Sequence, residues 1–206
     1  MALVDTTLQT ALFTLFNAMS GMTSGGDIYM AKNTAVAIKT FVLTAQVSTV
    51  DAGLVSVVNV YAGNGTGSPG CFVIDSDSLE SDLYETFTKE NTSESEIADG
   101  IADAIDSACS QEDIISTTTS GTLTPPPPAT PISPYTGTGK GTFNGSKSII
   151  SEKLLQTFTQ MKTMTSGGDL LFATDFAKAV GDYLRGGTVS VELDTPIVGS
   201  GSGGVS

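Results

Sequence analysis

Apolar residues recur at helical spacing in two neighbouring stretches near the start of the chain. In the first stretch, Leu8, Leu12 and Phe16 fall on one face, because positions four and eight apart share a side of a helix. In the second stretch, Ala31 and Ala35 form a stripe of small side chains, and small side chains allow two helix axes to approach closely. The pattern predicts an antiparallel helical hairpin.

A Gly-Gly-Asp turn separates the two predicted helices. We interpret the glycines as the turn residues, because glycine accepts the left-handed conformation found after a helix. The aspartate is predicted to be the N-cap of the second helix. The surrounding segment MTSGGD recurs 142 positions later, and capping explains both aspartates better than a pair of catalytic carboxylates does. The predicted turn and cap residues are Gly25, Gly26, Asp27, Gly167, Gly168 and Asp169.

The same apolar pattern is found three times, which indicates a repeated supersecondary unit. The first and third copies align without gaps at the shift of 142. A diverged middle copy lies at a shift of 71 in its first helix and 67 in its second, because it lacks the SGGD turn. The predicted core positions of the three copies are Phe16, Ala31, Ala35, Phe87, Ala98, Ala102, Phe158, Ala173 and Ala177.

Segments rich in valine or threonine follow each predicted hairpin and alternate in part between apolar and polar residues, which predicts β-strands. Each is followed by a run of alternating glycines, which we interpret as an extended or flexible connector. Prolines between 125 and 134 predict a stiff polyproline spacer in the second copy. The strands are expected at 46–50, 54–61, 114–123 and 188–193, and the connectors at 63–70, 137–145 and 199–204.

The predicted fold class is α+β, with three tandem repeats, each an antiparallel helical hairpin followed by a short β-strand segment and a Gly-rich extended connector. Repeat 1 spans residues 1–70, the acidic repeat 2 with its Pro-rich spacer 71–146, and repeat 3 147–206. One hairpin buries too little surface to be stable alone. We therefore expect the copies to pack on one another or on a partner, with strands pairing across copies or extending a neighbour's sheet.

The amino-acid composition excludes several common classes of catalytic site. The 206 residues include no histidine, which excludes the Ser-His-Asp triad, the Cys-His pair and an imidazole base. Two cysteines are too few for an all-thiolate zinc site. Cys109 is expected to be buried because it follows the helical stripe, whereas Cys71 is expected in an exposed linker; a disulfide within or between chains stays open. The sequence contains no apolar run of 18 residues, so no membrane span is expected. It begins without a basic region, so no signal peptide is expected.

Acidic residues are concentrated in the middle of the chain. The net charge is −13, and 13 acidic residues but only one basic residue lie between Asp75 and Asp113. Binding to a phosphate backbone needs clustered Lys and Arg, so no direct nucleic-acid partner is expected. The acidic segment could meet a basic partner or weakly bind divalent cations, but a solvated face is the simplest interpretation.

Two short segments imitate ligand-binding motifs without meeting their requirements. The glycine run at 137–145 is not a phosphate loop, because Pro134 and Gly141 stand where glycine and Ser or Thr are needed. Residues 75–80 resemble part of a calcium loop but lack its central glycine and distal glutamate. The better interpretation is a helix start, with Asp77 or Ser78 as N-cap. No metal and no cofactor are therefore expected.

The last copy carries a resemblance to a known class of protein. The resemblance rests on an alanine stripe, a valine strand and a terminal glycine run. These residues are Ala173, Ala177, Val180, Tyr183, Val189, Val191 and Gly199–Ser206. This pattern resembles small repeat-containing virion structural proteins of tailed bacteriophages. The acidic second copy and its spacer depart from the pattern.

The resemblance implies a non-enzymatic structural protein of a phage particle: a cement, a decoration or a head, neck or tail connector. Such a protein would bind a multi-subunit lattice through its three similar repeats, as part of a multi-chain assembly in the virion, formed in the host cytoplasm. Its partners would be other virion proteins and copies of itself, with no membrane. The alternative is a soluble binding or adhesion module of a cell-surface assembly.

Overall fold

The computed structural model describes residues 3–90 and 92–206 and shows a mixed α+β protein. Along the described chain, two helices are followed by two strands, and this order occurs three times. The helices are α1 Asp5–Met19, α2 Gly26–Val42, α3 Ser76–Thr88, α4 Glu94–Cys109, α5 Ser148–Met161 and α6 Gly168–Gly186. The described helices therefore occur in consecutive pairs along the chain.

The six strands form a closed antiparallel barrel in which each strand pairs with the next along the chain and the last pairs with the first. Closure leaves no free sheet edge, so the backbone groups of every barrel strand find partners on both sides. The strands are β1 Val47–Val55, β2 Asn59–Gly67, β3 Ile115–Thr124, β4 Ile132–Asn144, β5 Thr188–Leu193 and β6 Ile197–Val205.

The sequence analysis predicted that the glycine runs are connectors, and this prediction is wrong. The runs lie in the strands β2, β4 and β6. Their alternating glycines face the barrel interior, opposite the inward side chains of β1, β3 and β5. A six-stranded barrel is too narrow to hold side chains from every strand. A Cβ built on Gly137 would lie 2.7 Å from Ile197 Cδ1, and one built on Gly67 would lie 2.6 Å from Cys71 Sγ. The glycines therefore make the narrow barrel possible.

The proline-rich segment also differs from its prediction as a spacer. Residues 125–131 form the connection between β3 and β4, and β4 already begins at Ile132. The segment thus links two strands of one hairpin, at the barrel end remote from the helices. Proline is tolerated here because residues of a hairpin loop do not have to donate a backbone N–H to a neighbouring strand.

The helices form a ring at the other end of the barrel, where β1, β3 and β5 begin and β2, β4 and β6 end. Each helix packs on the next one along the chain, and α6 packs on α1. The bidentate pair of Arg185 on α6 with Asp5 on α1, at 2.8 and 2.9 Å, ties the two ends of the ring together. Ring and barrel meet around a core that includes Phe72, Phe143 and Tyr183.

The helix starts correct the predicted caps in the first and third hairpins. Gly25 and Gly167 adopt the left-handed conformation, with φ of 71° and 80°, as expected for turn glycines, and each occupies the N-cap position itself. The helices begin at the next glycine, so Asp27 and Asp169 lie in the first helical turn and make no side-chain cap bond. A carboxylate there still interacts favourably with the positive end of the helix dipole.

The middle hairpin is capped by residues other than those predicted. Asp75, not Asp77 or Ser78, is the N-cap of α3, and its carboxylate accepts bonds from the Ser78 hydroxyl at 2.8 Å and the Asp77 N–H at 2.9 Å. These bonds lower the pKa of Asp75, the Ser78 hydroxyl contributing most. The segment that imitated a calcium loop is thus the start of a helix. Ser93 caps α4 through a capping box with Glu96.

Candidate interaction surfaces

An open apolar cavity of about 440 Å³ lies at the centre of the helical ring. Every helix contributes to its wall, which places the cavity on the axis of the ring. The first helix of each pair supplies a phenylalanine, and the second supplies another large apolar side chain. We call this the central cavity; the wall residues that define it are Phe16, Phe87, Phe158, Met30, Ile97 and Phe172.

The phenylalanines predicted as repeat core are the residues that line the central cavity. Phe172 packs in the wall at 5.2 Å from Phe16 and 5.5 Å from Phe158, ring centre to ring centre. Phe16, Phe87 and Phe158 are only partly buried against the core. The predicted alanines, in contrast, are fully enclosed between helices: Ala31, Ala35, Ala98, Ala102, Ala173 and Ala177.

The mouth of the central cavity carries charged groups where the first helices end and the second helices begin. Glu94, Lys162 and Asp169 line it. Lys162 Nζ lies 2.9 Å from Glu94 Oε2, so this lysine is already neutralised. Asp169 is exposed and has no ion-pair partner within the described part of the chain. The mouth therefore presents an unbalanced negative charge beside an apolar wall.

A second apolar surface lies at the free end of the barrel. Leu54 on β1 pairs directly with Val60 on β2 and with Val198 on β6, so the three outward side chains are neighbours. Leu54 is 43% exposed and Val198 69%. With Val57 and Val58 in the adjoining turn, both exposed, these residues form what we call the barrel-tip patch. Contiguous exposed apolar side chains of this kind are typical of protein interaction sites.

The turn within the barrel-tip patch is strained. Val57 has φ of 68° and is 84% exposed. A β-branched residue is an outlier in the left-handed region, where hairpin turns normally place Asn or Gly. Such strain persists only where the surrounding structure imposes it, and it concentrates at functional sites. The strained, solvent-facing valine thus supports the barrel-tip patch as a contact surface.

The acidic residues lie mainly on α3, α4 and the segments that flank them. Lys147 pairs with Asp103 on α4, and this hydrogen bond raises the pKa of the lysine. Glu96 is held in the capping box of α4, where the Ser93 N–H lowers its pKa. Within residues 3–90 and 92–206, no three Asp, Glu, Cys or His side chains are placed to hold a metal ion together. Most of these acidic side chains are exposed, on a surface open to solvent or to a partner.

The barrel interior contains a buried carboxylate that the sequence analysis missed. Asp51 on β1 is 1% exposed, and its Oδ1 accepts a bond from Thr49 Oγ1 at 2.7 Å. Its Oδ2 is buried with no hydrogen-bond partner among the described residues. Asp51 pairs with Gly63, as Thr119 pairs with Gly137 in the next hairpin, where Thr119 bonds to the Tyr61 hydroxyl. The alternating burial along β1 places Asp51 on the inward face. No such signal is present in the sequence, because the apolar Val50, Ala52 and Leu54 lie on the opposite face.

Replacing Asp51 with threonine is expected to raise the free energy of unfolding by about 1–2 kcal/mol, because it removes a buried oxygen that lacks a partner. Threonine fits because the corresponding position of β3 already holds Thr119. Urea unfolding at neutral pH measures the change. Asp51→Asn, which keeps the shape but removes the charge, is expected to gain less. A loss of stability in Asp51→Thr would show that the bond from Thr49 stabilises the barrel by more than the unpartnered oxygen costs.

The two cysteines are free thiols, and both are buried. Cys109 is enclosed in α4, as the sequence analysis predicted, and burial raises its pKa to about 12. Cys71, expected in an exposed linker, is also buried, because its segment packs on the barrel and Phe72 forms a β-bridge with Ile115. Burial raises the pKa of Cys71 too. Both groups stay protonated near neutral pH, which disfavours thiolate chemistry.

Within the described residues, no helix has the length and apolar character needed to cross a membrane. The chain was also compared with protein-family models, curated protein sequences and solved structures. None of these comparisons returned a significant match.

Proposed function

We propose that the chain is a non-enzymatic structural protein of a tailed-phage particle, acting as a cement, decoration or connector component in the virion. The observation that carries the proposal is the geometry of the three helix-helix-strand-strand segments. Their helices close one ring and their strands close one barrel. We interpret the segments as three repeats of one unit arranged about an approximate threefold axis. A single chain of this shape fits a threefold position in a larger assembly.

The arrangement changes how three repeats would bind. Separate units on flexible tethers would gain affinity through effective concentration. Here the repeats share a barrel, so their contact surfaces have fixed positions around one axis. Fixed surfaces lose little conformational freedom on binding, which favours tight association with a partner of matching geometry.

The barrel-tip patch is the surface that we assign to the particle. Leu54, Val60 and Val198 are already exposed, so covering them removes apolar area from water without unfolding any part of the protein. Fully burying a side chain of this size contributes about 1.5–3 kcal/mol. The strain at Val57 is consistent with a turn whose conformation serves a partner.

Binding of the purified protein to particles that lack it tests the proposal. The wild-type chain is expected to bind saturably and to co-sediment with the particles. Val198→Lys is expected to weaken binding about tenfold or more, because a charge replaces an apolar contact worth about 1.4 kcal/mol. The matched control is Ser200→Lys, two residues along the same outward face of β6, and it is expected to bind within about twofold of wild type.

Two outcomes would contradict this assignment. Absence of saturable binding by folded wild-type protein would reject the virion function, and saturable binding to cells instead would favour an adhesion module. Equal weakening by Val198→Lys and Ser200→Lys would reject the barrel-tip patch as the contact surface, while leaving the virion function in place.

A further inference from the structure

We propose that the central cavity receives an apolar side chain of a basic peptide segment from a partner protein. The inference rests on the proposed function in one respect, that the chain works by binding other proteins. It adds a second contact surface, at the end of the molecule opposite the barrel-tip patch, and it names the chemistry of the segment that binds there.

The wall of the central cavity fixes the apolar part of the ligand. All six helices contribute large apolar side chains, and a volume of about 440 Å³ is of the size that binding pockets have. Phe16, Phe87 and Phe158 remain partly open to solvent, so a side chain can enter without displacing the wall. Among the described lining residues, the charged groups lie at the mouth. An aliphatic or aromatic side chain therefore fits the interior.

The charged groups at the mouth of the central cavity indicate which charge the ligand carries beside its apolar side chain. Lys162 is already paired with Glu94, whereas the carboxylate of Asp169 is exposed and has no basic partner within the described residues. Asp27 occupies the matching position in the first turn of α2 and is also exposed. The net charge of −13 adds a long-range attraction for cations. Lys or Arg beside the apolar anchor complements these carboxylates, whereas an acidic segment would be repelled.

A labelled amphipathic peptide of about 14 residues, built from Leu and Lys, is the probe for this site. Its binding to the full chain is measured by fluorescence anisotropy at physiological ionic strength, where weak surface attraction is screened. We expect saturable binding. A peptide with Glu in place of Lys, and one with Ser in place of Leu, are each expected to bind at least about tenfold more weakly.

Two variants, each with one added carboxylate, distinguish binding in the central cavity from general attraction to an acidic surface. Ile97→Glu places a charge in the wall and is expected to weaken binding about tenfold, although it makes the protein more acidic. Ile28→Glu adds the same charge at an exposed position of α2 that does not line the cavity, and is expected to leave binding unchanged or slightly tighter. Met30→Gln, a milder change in the wall, is expected to weaken binding if Ile97→Glu does not fold.

The proposal is overturned if the Ser and Lys peptide binds as tightly as the Leu and Lys peptide, or if both glutamate variants tighten binding. Either result would mean attraction to the acidic surface alone. Failure of the proposed function is recognised separately. If the peptide binds in the central cavity but particles do not bind the chain, the cavity stands as a partner site and the virion assignment falls.

Discussion

Replacing Gly203 with alanine is expected to lower the free energy of unfolding by about 3 kcal/mol or more. Gly203 faces the barrel interior on β6 and pairs with Thr49 on β1. A Cβ there would overlap the carbonyl oxygen of Ser48 and lie 2.7 Å from Thr49 Cα. Both obstacles are backbone atoms, so relief requires β1 and β6 to separate at the seam that closes the barrel.

The next residue provides the matched control. A Cβ on Gly204 would meet only the carbonyl oxygen of Gly187, at 3.8 Å. Gly204→Ala is therefore expected to change stability by no more than about 0.5 kcal/mol. Urea unfolding and thermal melting measure both variants, and the Gly203 variant is expected to melt about 6–12 °C lower. Equal stability of the two variants would mean that the barrel can accommodate a methyl group at Gly203, which would contradict the close packing argued above.

The contrast between Gly203 and Gly204 also explains which part of the fold the sequence could reveal. The helices and the strand β5 at Thr188–Leu193 follow from local periodicity, and the prediction for β5 was correct at both ends. Glycine is depleted in strands, so the glycine runs were assigned as connectors. What makes Gly203 a strand residue is the backbone of β1, more than 150 positions earlier, and no local pattern contains that information.

The candidate contact surfaces were predictable to different degrees. Phe16, Phe87 and Phe158 were identified as equivalent core positions from their spacing. That they line an open cavity depends on α6 packing against α1, which closes the ring. The barrel-tip patch was missed, because Leu54 and Val198 become neighbours only when β6 pairs with β1.

The three helix-helix-strand-strand segments have the same order of elements and differ in their surfaces. The enclosed alanines and inward glycines recur because they determine helix spacing and barrel width. The acidic residues of α3 and α4, the carboxylate of Asp51 and the strained turn at Val57 each occur in one copy only. Shared positions therefore account for the ring and the barrel, whereas these surface features do not follow the approximate threefold arrangement.

Phe143→Ala is expected to cost about 4 kcal/mol, near the upper part of the range for truncating a buried aromatic ring. Phe143 is fully enclosed where the barrel meets the helices, with its ring centre 5.5 Å from Phe72 and 5.3 Å from Tyr183. Gly145 and Gly187 leave the space that the ring fills, since a Cβ at either would overlap it or come within 2.8 Å. Urea unfolding measures the loss.

Phe158→Ala is the comparison, because Phe158 lies in the wall of the open central cavity and is only partly buried. Its loss is expected to be about 2 kcal/mol, since water already reaches one side of the ring. The other segments have no phenylalanine at the corresponding position: two residues after the matching inward glycine stand Pro69 in the first segment and Val205 in the third. Phe143 is therefore the one of these three positions that adds an aromatic ring to the core beside Phe72 and Tyr183. An equal loss in both variants would place the main contact between ring and barrel elsewhere.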